Sequence, residues 1–330
     1  MTAILREEAG LAEPAAVATG PIAWTRASLA GDAGQLRLDD DVLAEIERLA
    51  GELKANPLPV PALDPADFVL PACRALMAEA KSILERGVGF VILDRLPVAR
   101  LGPERATAIY WLLASMLARP VAQNWAEGRL VYDVRDSGKA FGYGVRPDIT
   151  SRHQNFHTDN SYNLVPPRYV GLLCLQVAEE GGISGLASLV SAHEEMRCRA
   201  PDLLSRLYRP YLFDRQNEHA PGAEKVLSHP LFDVRNGELR GRLSRGRTLA
   251  GYELAGAMPD EEGLAALDLL ETILEDPAFN RDFVFRPGQM QFVHNLWCGH
   301  RRTGFRDGPE RRRHLVRLWL RDEGRRFYNG

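Results

Sequence analysis

From about residue 130 onward, short apolar runs of strand length alternate with turn residues, and this texture constrains the fold more than any other feature. Nine runs predict strands: Leu130–Val134, Asn155–Asp159, Tyr169–Ala178, Leu186–Val190, Leu231–Val234, Glu238–Leu243, Phe283–Phe285, Gln289–His294 and His314–Leu320. One long amphipathic helix, Asp260–Glu275, interrupts them. Many short strands with a few helices outside them are typical of a barrel or a jelly roll. We therefore predict a mainly β core with flanking helices.

The first third of the chain has the opposite texture and predicts helices. Helical spacing of apolar residues marks Leu38–Leu53, Pro65–Arg86 and Pro103–Ala118, and a short apolar run, Phe90–Leu93, predicts a strand between them. A proline-rich connector, Asn56–Pro65, separates the first two helices. Because the sequence shows no boundary between independent domains, we predict a helical N-terminal region, residues 1–86, packed on one core unit, residues 87–330.

Net charge and hydropathy restrict the cellular location and the partners that we expect for this chain. Lysine plus arginine total 41 against 44 aspartate plus glutamate, which gives a formal net charge of −3. The longest nearly apolar run, Tyr169–Ala178, is far shorter than the roughly 20 residues of a membrane helix, and the first ten residues lack the pattern of a secretory signal. Four scattered cysteines without metal-binding spacing predict reduced core thiols. We expect a cytoplasmic protein without a membrane partner; the sequence leaves the oligomeric state open.

The C-terminal region is rich in arginine, which raises the question of nucleic-acid binding. Ten arginines lie between Arg301 and Arg326. The whole chain is nevertheless slightly acidic, several of these arginines alternate within a strand-like run, and no aromatic RNA-binding motif accompanies them. We expect a small-molecule substrate and no nucleic-acid partner.

A candidate metal site begins with His157 and Asp159, which stand two residues apart in a strand-like run and would therefore share one face of a strand. His300, much later in the chain, is the third candidate. Two imidazoles and one carboxylate leave three positions of an iron ion free, as Fe(II) enzymes that hold a co-substrate and dioxygen together require. The His-x-Asp triplet alone is weak, because a surface strand with a hydrogen-bonded histidine has the same pattern.

The segment that follows His300 strengthens the metal hypothesis. Residues 313–320 alternate as a strand, with Arg313, Leu315, Arg317 and Trp319 on one face. Arginines inside an apolar strand need an anion, and a guanidinium grips a carboxylate through two parallel hydrogen bonds that lysine cannot reproduce. This strand therefore indicates a carboxylate-binding position.

Six segments, in their order along the chain, resemble the taurine dioxygenase and clavaminate synthase-like (TauD-like) superfamily. They are Phe156–Asp159, Glu180–Ser184, Phe285–Gly288, His294–Asn295, His300–Thr303 and Arg312–Leu320. The resemblance spans about Gly87 to Arg321. Members are Fe(II)- and 2-oxoglutarate-dependent oxygenases built on a double-stranded β-helix, a relative of the jelly roll. The resemblance implies this fold, with Fe(II), 2-oxoglutarate and O2, for the present chain.

The resemblance also implies roles for individual residues, carried over by position. The implied iron ligands, which would also be the catalytic centre, are His157, Asp159 and His300. Arg313 falls where the family's arginine pairs with the distal carboxylate of 2-oxoglutarate, and Ser184 falls where a hydroxyl assists the same co-substrate. Arg317 corresponds to a second arginine, which in relatives touches either 2-oxoglutarate or an anionic substrate.

The chain departs from the family pattern at His294–Asn295, where relatives often have two asparagines. The role of His294 therefore stays open. So does the role of His153, which stands four residues before His157 and would share a face with it in a helix.

Substrate residues are the least determined part of the prediction. Where relatives build the substrate pocket, this chain has Asn124, Asn160, Ser161 and Tyr162, and ordinary loop and core packing explains them equally well. A polar rim beside iron would suit an amino acid or a similar zwitterion, so we expect hydroxylation of a small polar, amino-acid-like molecule. The alternatives are desaturation or cyclisation by the same oxidising chemistry, and a non-catalytic jelly-roll protein that binds a metal or a small anion.

Overall fold

The computed structural model describes residues 20–140, 142 and 145–329. Its α-helices are α1 (Asp40–Ala55), α2 (Pro71–Arg86), α3 (Val98–Leu101), α4 (Pro103–Leu117), α5 (Leu189–Arg199), α6 (Pro201–Leu207), α7 (Arg245–Leu254) and α8 (Glu261–Glu275). Single 3-10 turns lie at Val60–Ala62, Pro65–Asp67 and Pro147–Ile149. The strands are β1 (Gln35–Arg37), β2 (Phe90–Asp94), β3 (Arg119–Val121), β4 (Tyr132–Val134), β5 (Gln154–His157), β6 (Tyr169–Gln176), β7 (Glu180–Gly181), β8 (Ser184–Ser188), β9 (Tyr211–Asp214), β10 (Val226–His229), β11 (Phe232–Arg235), β12 (Glu238–Gly241), β13 (Asn280–Phe283), β14 (Met290–His294), β15 (Cys298–Arg302), β16 (Phe305–Arg306) and β17 (His314–Arg321).

The strands form two larger sheets and three short ribbons. The larger sheet has the order β1-β2-β14-β6-β17-β3, with β4 also paired to β17, and the smaller sheet has the order β13-β8-β15-β5. The ribbons pair β9 with β10, β11 with β12, and β7 with β16. Side chains of both larger sheets line one pocket between them. This is the architecture of a jelly-roll core with flanking helices, and it confirms the predicted fold class.

Helices α1, α2 and α4 cover one face of the larger sheet. Alternate residues of β17, namely Val316, Leu318 and Leu320, join the apolar cluster that these helices form. The intervening Leu315 and Trp319 belong to other clusters, on the opposite face. The predicted alternation of this strand is confirmed. It aims the arginine face of β17 at the space between the sheets.

A second apolar cluster joins α5, α6 and α8 to the smaller sheet. Leu186 of β8 packs there with Leu204 of α6 and Leu270 of α8, all essentially without solvent exposure. Burying a leucine side chain contributes about 1.5–3 kcal/mol, so these helices fix the sheet that carries β5 and β15. Helix α8 begins where predicted, because the Asp260 carboxylate accepts a hydrogen bond from the Gly263 amide.

Several predicted boundaries differ from the observed ones for local reasons. The expected strand Leu186–Val190 is β8, Ser184–Ser188, because the Ser188 hydroxyl accepts a hydrogen bond from the Ser191 amide and thereby starts α5. The expected strand Asn155–Asp159 is β5, which ends at His157. Strand β15 was not predicted at all.

Three predictions about the whole chain have different outcomes. The division at residue 86 stays a prediction; β1, which precedes it, pairs in parallel with β2, which follows it. Among the described residues no helix combines the length and apolarity needed to cross a bilayer. Three of the four cysteines are buried, but Cys198 is exposed, so the prediction that all four lie in the core is wrong for Cys198.

Candidate active site

Two adjacent strands of the smaller sheet bring His157 and His300 together. His157 is the last residue of β5, and His300 is the middle residue of β15, directly opposite His157 in the register of the two strands. Asp159 lies two residues beyond the end of β5, in a turn. The assumption that Asp159 shares a strand face with His157 is therefore wrong. The turn still brings its carboxylate back to the two imidazoles.

The three side chains present their ligand atoms to one point. His157 Nε2 and His300 Nε2 lie 3.5 and 3.6 Å from the same oxygen, Asp159 Oδ1, and the two imidazole centroids are 4.3 Å apart. All three ligand atoms fall within 4.8 Å of one another. Within residues 20–140, 142 and 145–329, this is the one group of three or more His, Cys, Asp or Glu side chains with that geometry.

Neighbouring hydrogen bonds orient these groups. His157 Nδ1 lies 2.9 Å from the Asn155 carbonyl, to which it donates, so that Nε2 keeps its lone pair. On Asp159, Oδ2 accepts a hydrogen bond of 2.6 Å from the Trp319 indole and contacts the Arg317 guanidinium at 3.3 Å. Only Oδ1 is then left to face the two imidazoles.

Asn295 fixes the backbone of Asp159. Its Oδ1 accepts from the Asp159 amide at 2.8 Å, and its Nδ2 donates to the carbonyls of Asp159 and Pro167 at 3.0 and 3.1 Å. Asn295 belongs to one of the family-like segments, but the sequence predicts no role for its side chain. Its neighbour His294 stacks on Trp297 at a centroid distance of 3.7 Å, is buried, and is not part of the cavity wall.

Electrostatics favours a charged carboxylate at Asp159 and a neutral imidazole at His300. Burial raises the pKa of Asp159, but the positive charge of Arg317 and the two neighbouring histidines outweigh it and hold the pKa well below its usual range. Burial, together with the nearby His157, lowers the pKa of His300. At neutral pH the site therefore carries an ionised acid beside an imidazole that is free to act as a ligand.

An inner pocket next to these three residues contains the other predicted co-substrate residues. Ser184, Arg313 and Arg317 all line it, together with His157, Asp159 and His300. Arg313 is 5 % exposed, and its Nη1 is buried without a hydrogen-bond partner among the described residues. Burial lowers the pKa of Arg313 to about 9, and the charge of Arg302 acts in the same direction. A buried cation in this position favours an anionic ligand.

A wider cleft of about 990 Å³ lies outside the inner pocket and shares part of its wall. Asn160, Ser161 and Tyr162 line it, as does His153. Asn124 does not, because its side chain is engaged in its own turn, where it donates to Glu127 and accepts from the Arg129 amide. The structure thus gathers three of the four polar substrate candidates in one cleft.

Sequence comparison identifies relatives of the chain. Residues 54–319 match the model of the family described as taurine catabolism dioxygenase TauD, TfdA family. FR-33289 synthase of Streptomyces rubellomurinus (strain ATCC 31215) is 31% identical over 324 residues, which cover 94% of this chain and 92% of that protein. Uridine-5'-phosphate dioxygenase of Amycolatopsis sp is 30% identical over 183 residues, 52% of this chain and 66% of that enzyme.

Comparison with solved structures supports the same fold. Asparagine oxygenase in complex with Fe(II), 2S,3S-3-hydroxyasparagine and succinate superimposes with a TM-score of 0.68 at 20% sequence identity, covering 87% of this chain and 93% of that one. Because the family match spans most of the chain and the site has the donor set of non-haem iron, fold, sequence and geometry agree. The chain belongs to the TauD/TfdA family and is an Fe(II)- and 2-oxoglutarate-dependent oxygenase.

Proposed function

We propose that this oxygenase hydroxylates a small polar, amino-acid-like molecule, with His157, Asp159 and His300 as its iron ligands. The observation that carries the proposal is the convergence of these three ligand atoms within 4.8 Å, beside the buried guanidinium of Arg313. Two imidazole nitrogens and one carboxylate oxygen are the donor set of Fe(II) oxygenases.

The residues present fit an iron ion. Asp159 supplies a carboxylate that stays ionised, and the hydrogen bond from His157 Nδ1 to a carbonyl directs Nε2 of the same ring towards the metal position. The Gln154 amide lies 3.1 Å from His157 Nε2 and is the group that a metal would replace there. Gln154 also lines the inner pocket, so its movement would at the same time make room for a ligand.

The inner pocket likewise fits a dicarboxylate. Arg313 offers a buried Nη1 without a hydrogen-bond partner among the described residues, and Arg302 adds a second positive charge close by. We assign the distal carboxylate of 2-oxoglutarate to Arg313 and a supporting hydroxyl to Ser184. Arg317 already contacts the carboxylates of Asp159 and Asp148, so we propose that it steadies the metal ligand as well as bordering the co-substrate.

Bound iron and 2-oxoglutarate would supply the oxidation itself: oxidative decarboxylation of the keto acid to succinate and CO2 takes up one oxygen atom of O2, and the other atom enters a C–H bond of the substrate. The chain's own residues position both ligands, and the two sheets exclude water from the inner pocket. The substrate binds in the outer cleft, whose polar wall includes Asn160 and Ser161. Desaturation or cyclisation would use the same residues and differ in the product alone.

Burial of arginines in the C-terminal region supports a small-molecule substrate, and we propose that the protein is cytoplasmic. Four of the ten arginines of the most basic part of the chain, Arg302, Arg313, Arg317 and Arg321, are 2–5 % exposed and therefore unavailable to a nucleic acid. The exposed Arg306 is paired with Glu179 and Glu180. We propose no nucleic-acid partner for this reason.

The metal assignment is tested by anaerobic addition of Fe(II) and 2-oxoglutarate. We expect the weak visible absorption band of the iron-keto acid chelate in the wild type, and its loss in Asp159→Ala and in His300→Ala. His153→Ala, which changes a histidine of the same cleft, is the matched control and should keep the band. A band that survives both ligand substitutions would contradict the assignment. Succinate release under air, measured in parallel, separates an enzyme from a binding protein.

A further inference from the structure

Five charged side chains of alternating sign form a series of ion pairs that ends at the metal site. Glu218 contacts Arg146 at 3.3 Å, and Arg146 contacts Asp148 at 3.5 Å. Asp148 contacts Arg317 at 2.8 Å, and Arg317 contacts Asp159 at 3.3 Å. Their side chains are between 6 and 13% exposed. The series therefore links the wall of the substrate cleft to a candidate iron ligand.

Asp148 is the middle residue of this series, and one of its two carboxylate oxygens has no hydrogen-bond partner among the described residues. Both arginines approach its Oδ2. Its Oδ1 is buried and accepts no hydrogen bond from the part of the chain that the structure describes. The residue is 6 % exposed and lines both the inner pocket and the outer cleft. A buried carboxylate oxygen without a partner is costly, which indicates a ligand group that completes it.

The charges around Asp148 decide which group this is. Arg146 and Arg317 each stand between two carboxylates, so neither attracts a further anion strongly, and the series of three acids and two arginines is acidic by one charge. Asp148 Oδ1 is a carboxylate oxygen, so the group that completes it has to be a hydrogen-bond donor. A carboxylate binds a cationic donor more strongly than a neutral one. An ammonium group therefore suits the position better than a carboxylate or a phosphate does.

We propose that Asp148 is a specificity-determining residue that binds a primary ammonium group of the substrate through Oδ1. This rests on the proposed function, in which a small polar, amino-acid-like molecule enters the outer cleft. Because Asp148 borders both cavities, an amine held there would lie at the entrance to the inner pocket. Molecules that match the substrate but lack the amine should bind less tightly.

The test compares matched pairs of probes on Zn(II)-loaded protein saturated with 2-oxoglutarate, in which turnover does not occur. The pairs are L-asparagine with succinamic acid, L-glutamine with glutaramic acid, and L-arginine with 5-guanidinopentanoic acid; each second member lacks only the α-amine. Calorimetry gives the dissociation constants. We expect at least one amine to bind about tenfold or more tightly than its partner, as a charge-assisted hydrogen bond allows.

Two variants and one control assign this preference to Asp148. Asp148→Asn removes the negative charge, and Asp148→Glu keeps the charge between the arginines but moves the free oxygen. Both should bring the ratio within each pair close to one. Glu253→Gln changes an exposed carboxylate of the same cleft and should leave the ratio unchanged.

The outcomes separate this proposal from the proposed function. Failure of the wild type to bind 2-oxoglutarate would overturn the proposed function. Intact 2-oxoglutarate binding without preference for any amine would overturn the role of Asp148 alone. A preference that persists in Asp148→Asn or Asp148→Glu would also overturn it. The wild-type comparison alone can contradict the proposal. The proposal therefore stays testable even if a variant does not fold.

Discussion

The guanidinium of Arg317 contacts Asp159 Oδ2 at 3.3 Å, while Oδ1 of the same carboxylate faces His157 and His300 at 3.5 and 3.6 Å. One carboxylate thus uses one oxygen for a cation of the protein and offers the other to the metal position. The contact also keeps Asp159 ionised in a buried site. Arg317 therefore acts on the metal site through Asp159.

We predict that Arg317→Leu destabilises the protein by about 3–5 kcal/mol, because it leaves the carboxylate of Asp159 buried without its cation and that of Asp148 with Arg146 alone. Urea denaturation of the metal-free protein measures this. Arg306→Gln is the matched control, since Arg306 pairs with Glu179 and Glu180 on the surface and its loss should cost less than about 1 kcal/mol. Equal losses in the two variants would contradict the prediction.

Asn295→Ala should weaken metal binding, although Asn295 offers no ligand atom to the metal position. The substitution removes three hydrogen bonds that hold the Asp159 turn against Pro167. Leaving such buried groups unpaired costs about 1–3 kcal/mol each. We expect a smaller rise in melting temperature on addition of Zn(II) than in the wild type. Asn295→Asp should not restore it, because a carboxylate cannot donate to the two carbonyls. An undiminished response to Zn(II) in Asn295→Ala would show that the turn holds its shape without this side chain.

Arg313→Gln should reduce the affinity for 2-oxoglutarate by about 2–5 kcal/mol, because the distal carboxylate would lose its buried cation. Calorimetry on Zn(II)-loaded protein measures the loss. The neighbouring Arg312→Gln, at an exposed position, should have little effect. Binding of 2-oxobutyrate, which lacks the distal carboxylate, should be insensitive to both changes. If 2-oxoglutarate binds Arg313→Gln normally, another residue grips its distal end.

The stability of the metal-free protein should rise between pH 5 and pH 7. Burial lowers the pKa of several histidines in the folded protein: His193, His229, His294 and His300. Below about pH 6.5 the unfolded chain binds protons at these residues that the folded chain does not, so acid favours unfolding. Each group contributes at most about 1.4 kcal/mol per pH unit.

His294→Leu should reduce this pH dependence. Neither ring nitrogen of His294 has a hydrogen-bond partner among the described residues, so a leucine of similar volume should cost little stability at pH 7. Urea denaturation at pH 5.5 and 7.0 gives the slope for each variant. His153→Leu, an exposed position in the cleft, is the control. The same slope in His294→Leu and in the wild type would contradict the assignment.

Residues with a strong local signal could be predicted from the sequence. The helices α1 and α8 have capping aspartates and an apolar stripe, and β17 alternates over its whole length, so their patterns sufficed. The order of the family segments then pointed to the three residues that the structure brings together. That their side chains bind iron stays a proposal.

Residues whose roles depend on long-range contacts could not be predicted. Strand β15 contains Gly299 and three polar residues, and it is a strand because β5 and β8 pair with it on either side. Asp148 lies in a single 3-10 turn whose local sequence has no distinguishing pattern. Its role is indicated only by its contact with Arg317, which is distant in the chain. The expected substrate role of Asn124 stays a prediction, and the sequence gives no clear signature of the turn that engages its side chain.

We propose above that His157, Asp159 and His300 hold one metal ion beside Arg313. Anomalous X-ray diffraction from crystals grown with Mn(II) and 2-oxoglutarate tests it most directly. We expect one strong anomalous peak among the two imidazoles and Asp159 Oδ1, with the distal carboxylate of 2-oxoglutarate bound to Arg313. A peak at other residues, or a keto acid whose distal carboxylate lies away from Arg313, would contradict it.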